Sequence, residues 1–142
     1  MKINPTTNDS LVLRTDFSDE NAWQKVCKLI TAPQTSFGFV AQVEFYNDAV
    51  FSQATVQQIL ASLPTNRNHW FLLVVDNETI KHPDHPVLCI DLLKNPGATF
   101  HVMASQVVTI ESNLAAQNMD FAAFAKAVDA DGIFRGYQEV DS

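Results

Sequence analysis

The sequence predicts a three-layer α/β fold: a mixed five-stranded sheet, three strands parallel and two forming an antiparallel hairpin, followed by C-terminal helices. Three observations carry this. Between residues 11 and 76, β-rich runs alternate with helical stripes in the order strand, helix, strand, helix, strand, which implies parallel strands joined by right-handed crossovers. Trp70 to Asp76 is a continuous apolar run closed by an acid, as expected of a central strand buried on both faces. Only ten residues, Asn77 to Pro86, precede the next apolar run. A parallel crossover needs a dozen or more, so this fourth strand should run antiparallel.

Taken in order, Leu11 to Thr15 forms the first strand, and Asp16 closes it. Ser18 offers an N-cap with Asp19 and Glu20 at the positive end of the helix dipole. Trp23, Val26, Cys27 and Ile30 then fall on one helical face, and Pro33 ends the helix. Phe39 to Phe45 alternates as a second strand. Thr55 and Gln58 make a capping box ahead of Val56, Ile59, Leu60 and Leu63, stopped by Pro64. Asn77 to Pro86, which includes His82-Pro83-Asp84-His85-Pro86, shows no helical period. Val87 to Asp91 and Thr99 to Met103 read as a hairpin around Asn95-Pro96-Gly97. Ser105 to Gln117 reads as a helix, and Asp120 caps a last one through Phe121, Phe124 and Val128, ending near Gly132.

Composition narrows the function classes. The chain has 142 residues, 46% hydrophobic and 18% charged, with a formal net charge of −7. That is the composition of one folded domain spanning residues 1–142, without linkers or repeats. Acidity opposes binding to nucleic acid or anionic lipid, which needs a basic face. No apolar run reaches membrane-spanning length, and Met1 to Pro5 has no secretory pattern. Cys27 and Cys89 both sit inside apolar patterns, so reduced buried thiols in a cytoplasmic setting are expected.

Three segments together carry a family resemblance: RTDFSDENAWQKVC (Arg14 to Cys27), HPDHPVLCIDL (His82 to Leu92) and NMDFAAFAKAVDADGIFRGY (Asn118 to Tyr137). In these the chain resembles a family of small bacterial proteins classed as a domain of unknown function. The resemblance implies one intact domain and brings no activity, cofactor or catalytic residue.

The topology gathers Asp16, Asp76, Glu78, His82, Asp84 and His85 along one sheet edge, where open α/β sheets bind ligands; Asp91 falls at the opposite edge. Asp16, Asp76, His82 and His85 are the candidate catalytic residues. Asp16, Asp76, Asp84 and His85 have the chemistry to ligate a metal. No metal and no cofactor are nonetheless expected. Strand-end aspartates cap helices and turns, and Pro83 and Pro86 suit a stiff connector without any ion. The chain also lacks a glycine-rich phosphate loop, G-x-S-x-G, H-E-x-x-H and a dinucleotide fingerprint. Asp129 to Gly132 resembles a calcium loop but fails at the first and twelfth ligand positions, Ala127 and Gln138. A helix end capped by Gly132 explains it better.

Two functional readings follow. The first is a non-catalytic binding or regulatory protein, such as an adaptor or an immunity-type partner. Its docking candidates are Asp129, Asp131, Phe134, Arg135 and Tyr137, because residues 111–142 hold six acidic residues against two basic ones. Acidic groups around an apolar centre suit a basic protein partner. The alternative is a metal-assisted hydrolase or phosphoryl-transfer enzyme using the Asp/His edge. Oligomeric state is not encoded in any pattern here.

Overall fold

The computed structural model describes residues 2–33, 40–65, 69–115 and 120–136. Its strands are β1 (Ser10–Arg14), β2 (Val43–Tyr46), β3 (Phe71–Val75), β4 (Pro86–Asp91), β5 (Thr99–Met103) and β6 (Ile133–Phe134). Its α-helices are α1 (Glu20–Thr31), α2 (Val56–Ser62), α3 (Asn77–Lys81), α4 (Val107–Ala115) and α5 (Phe121–Lys126). One sheet runs in the order β2-β1-β3-β4-β5-β6. β1 is parallel to β2 and β3, β4 is antiparallel to β3 and β5, and β6 is parallel to β5.

The first half follows the sequence pattern. The step from β1 to β2 passes one way along the sheet, and the step from β2 to β3 passes back across β1. Right-handed crossovers then require helices on opposite faces. Accordingly α1 lays Trp23, Val26 and Ile30 on one face, against Val12, Leu73 and Val75. α2 covers Leu11, Leu13, Leu72 and Val74 on the other with Ile59, joined there by Ile3 and Phe51. α4 and α5 join α1 on the first face through Val107, Ile110, Leu114 and Phe124. The antiparallel β4 is as expected, with Leu73 opposite Cys89.

Several boundaries differ from the sequence reading. The sheet has six strands rather than five, because Ile133 and Phe134 pair with His101 and Val102 instead of trailing beyond the last helix. Phe134 is 0% exposed and meets Phe124 edge-on at 5.3 Å, a contact worth about 1 kcal/mol beyond the area it buries. α5 ends at Lys126, and Gly132 (φ +78°) serves a separate tight turn, not the helix cap. The connector after β3 contains the short helix α3, too brief to show a period. Asp19, not Ser18, caps α1 by accepting from Ala22 N. The predicted second strand narrows to β2, and its start at Phe39 lies outside the described residues. The helix expected over 105–117 begins as a 3-10 turn at Ala104–Gln106 before α4, and residues 116–117 lie outside the description. The capping box of Thr55 and Gln58 is present.

Glu111 is not one of the solvated carboxylates that the acidic C-terminal count implies. It is 4% exposed on the inner side of α4, and Gln42 N donates to it at 2.6 Å. Burial raises its pKa; the Gln42 bond lowers it only in part, and nearby Asp9 adds to the rise. A raised carboxyl binds more protons folded than unfolded, so it costs stability at pH values above its folded pKa. Glu111→Gln, which keeps an acceptor for Gln42 N, should therefore raise the melting temperature at pH 7. The gain should shrink as the pH falls toward the unfolded value near 4.5, read by thermal scans from pH 7 to 4.

The two cysteines bury unequally. Cys89 is fully enclosed, whereas Cys27 is half-buried, against the expectation that both are sealed. Burial pushes Cys27 from 9.0 up to about 11 and Cys89 higher still. For Cys27 the rise leaves about a hundredfold less thiolate at a given pH below 9. Both thiols should label slowly at pH 8 in the folded protein, Cys89 slowest, and at ordinary thiol rates in denaturant.

Candidate functional site

Two concave regions lie at opposite ends of the sheet. The first is where the sequence places it. The connections leaving β1 and β3 diverge, and an open crevice of about 750 Å³ forms between their carboxyl ends, bordered by Asp16, Ser18, Gln53, Asp76, Asn77 and Lys81. This is the topological switch point at which doubly wound sheets bind ligands.

The loop after β1 that borders it is organised by Arg14, which the sequence reading passed over. The guanidinium is buried at the end of β1, with 3% of the side chain exposed. It stacks on Phe17 at 4.4 Å and on Trp23 at 4.8 Å. Arg14 Nε donates to the Asp16 carbonyl at 3.1 Å, and Nη2 donates to Glu20 at 2.9 Å. The planar fork thus joins β1, the following loop and the first turn of α1, a task a lysine cannot repeat.

The carboxylates at this edge hold bonds within the fold. Asp16 Oδ1 accepts from Ser18 N (2.8 Å) and Ser18 Oγ (2.6 Å), and Oδ2 accepts from Asn77 Nδ2 (3.1 Å). Burial works to raise the Asp16 carboxyl, but these bonds and the charge of Lys81 outweigh it and hold it below its ordinary range. Asp76 caps α3, where Oδ1 accepts from Thr79 N at 3.1 Å. The structure therefore brings Asp16 and Asp76 to one crevice and gives each a capping role.

The other edge candidates do not join them. His85 is buried at φ +48°, and its Nδ1 donates to the Thr79 carbonyl at 2.8 Å. His82 Nδ1 accepts from Asp84 N at 3.0 Å. The H-x-x-H spacing closes a turn. Asp84 faces Arg135, whose Nη1 donates to it at 2.8 Å and holds its carboxyl below the ordinary range. Among the described residues, no three His, Cys, Asp or Glu side chains converge as a metal site would require.

The C-terminal docking candidates fare similarly. Phe134 is a core residue of β6 and is withdrawn as a contact: its side chain has no exposed surface to offer. Asp129 Oδ1 accepts from Asp131 N and Ile133 N, and its other oxygen accepts from Arg135 Nε. Arg135 thus bridges Asp129 and Asp84, while Asp131 is exposed. Tyr137 lies outside the described residues. Ile133 and Phe134, the described part of the apolar centre that a basic partner would grip, are inside the protein.

The second concavity was missed. At the amino end of β3, a groove of about 350 Å³ runs between the β4–β5 turn and α5, lined by Trp70, Leu93, Leu114, Phe121, Ala122 and Ala125, among others. Trp70 is 37% exposed and Leu93 48%. Asp91 and Asp120 border the groove, but both are committed: Asp91 accepts from Leu93 N and Asn95 N, and Asp120 caps α5 and pairs with Lys94 at 3.2 Å. The available signal was positional. Trp70 precedes β3 and Leu93 lies beyond β4, so each stands just outside the strand that would have buried it.

No helix among the described residues is long and apolar enough to cross a membrane. No curated protein matches the chain. Residues 9–137, nearly the whole chain and all six strands, match the family described as Domain of unknown function (DUF6924), and the chain belongs to that family.

Proposed function

We propose that the chain is a non-catalytic binding or regulatory protein that works by occupancy of the groove at the amino end of β3. The observation that carries this is the contrast between that groove and the crevice at the carboxyl edge. At the carboxyl edge Asp16 already accepts three bonds from the chain, and Asp76 caps α3. The groove instead presents Trp70 and Leu93 to solvent over an apolar wall. Exposed apolar surface gathered in a concavity is what association uses, and 350 Å³ lies within the size of small-molecule sites. The acidic surface keeps the protein soluble around that opening.

A thermal-shift screen of small neutral aromatic and alkyl compounds tests this. A compound at a hundred times its dissociation constant adds about 2.7 kcal/mol of stability. Compounds that stabilise the parent protein should lose their effect in Leu93→Glu and Ala122→Phe, both at exposed positions, and keep it in Lys81→Ala. Loss of the shifts only in Lys81→Ala would assign binding to the crevice and overturn the proposal.

A further inference from the structure

Three ionisable side chains border the groove, Asp91, Lys94 and Asp120, and Lys94 is the one cation among them. Both carboxylates have their oxygens engaged. Asp91 is 4% exposed and accepts from Leu93 N at 2.9 Å on one oxygen and from Asn95 N at 3.0 Å on the other. Asp120 Oδ1 accepts from Ala123 N at 3.1 Å, and Oδ2 accepts from Lys94 Nζ at 3.2 Å.

Lys94 is placed differently. It belongs to the β4–β5 turn and Asp120 to the start of α5, so their contact joins the two walls of the groove and sets the ammonium between them. The lysine side chain is 68% exposed, which puts that charge at the rim, in reach of water and of a ligand. An ammonium carries three hydrogens; among the described residues, one of them meets an acceptor, Asp120 Oδ2. The spare hydrogen-bonding capacity of the charged groups at the rim is therefore that of a cationic donor. Exposed ion pairs are weak, so Asp120 does not hold Lys94 against a second acceptor.

We infer that the groove takes a small apolar acid, with an aromatic or alkyl body against Trp70, Leu93 and Phe121 and a carboxylate at the rim that accepts from Lys94. This rests on the groove being the working site and adds the charge of its ligand. The carboxylate keeps water on its outer side, so the pairing avoids the desolvation that a buried charge would bring. A neutral ligand of the same shape keeps the apolar contacts and forgoes the charge-assisted bond. An ammonium on the same body meets a like charge in Lys94, beside carboxylates whose oxygens already accept bonds.

The test uses three compounds with one indole body: indole-3-acetate, the neutral indole-3-acetamide of nearly the same shape, and the cationic tryptamine. Affinities are read from the ¹⁵N amide shifts of Ala98 and Ala122, which border the groove. In the parent protein at low salt the acetate should bind about fivefold more tightly than the acetamide, near the most that an exposed ion pair supplies, and tryptamine should bind least tightly. The preference for the acetate should vanish in Lys94→Met. It should persist in Lys126→Met, which removes the same charge from an exposed position of α5 that does not border the groove. It should rise in Asp120→Asn, which keeps a capping oxygen for Ala123 N while releasing Lys94. If the acetamide binds as tightly as the acetate, if tryptamine binds most tightly, or if Lys94→Met leaves the preference unchanged, the head group inferred here is wrong while the groove stands. If none of the three compounds moves Ala98 or Ala122, the groove itself is wrong.

Discussion

The reversal of chain direction between β3 and β4 is the constraint on which the arrangement depends. Ten residues must leave the end of β3 and enter β4 beside it in the opposite sense. Thr79, fully buried, fixes this turn from three sides: its backbone N–H donates to Asp76, its hydroxyl donates to the Pro86 carbonyl at 2.7 Å, and its carbonyl accepts from His85. His85 is held in the left-handed region, which a non-glycine residue adopts only when its surroundings require it. Pro83 and Pro86 limit the unfolded alternatives of the same segment. Once β4 is reversed, β5 follows as a hairpin and β6 is added at the far edge.

That reversal determines what becomes of the carboxyl edge. A fully parallel sheet would send a crossover helix from β3 and leave its last residues facing a ligand. Here the residues after β3 are used to turn the chain. Asp76 caps α3, His85 closes the loop, and Asp84 anchors Arg135 from the end of β6. Asp16 is tied to Ser18 and Asn77, and its backbone carbonyl is held by Arg14. Each of these groups looks chemical in isolation and is bonded within the fold in context. The opposite edge differs because the β4–β5 turn and α5 approach each other without closing, and Trp70 and Leu93 are left at the opening.

What the sequence revealed tracks the range of the interaction. Helical stripes, the Thr55–Gln58 capping box and the short connector are local, and α1, α2 and the antiparallel β4 follow from them. α3 escaped because five residues are too few to show a period. β6 escaped because a two-residue strand exists only through its partner, and pairing with β5 is a tertiary event. That miss had a functional cost: it left Phe134 available in principle as a docking group when it is core. Arg14 was invisible for a similar reason, since its partners Phe17, Glu20 and Trp23 are assembled by the turn of the chain. The groove depends on residues from β3, the β4–β5 turn, α4 and α5 meeting in space, which no spacing rule encodes.

The central claim is that binding takes place at the amino edge of β3 and not at the switch point. Amide chemical-shift mapping of ¹⁵N-labelled protein titrated with indole, a small aromatic carrying an N–H donor, tests it most directly. The account predicts that the largest changes fall on Trp70, Leu93, Ala98, Ala122 and Ala125, which border the groove, while Ser18, Gln53 and Asn77 stay fixed. Saturable changes confined to Ser18, Gln53 and Asn77, with the groove amides unmoved, would contradict it.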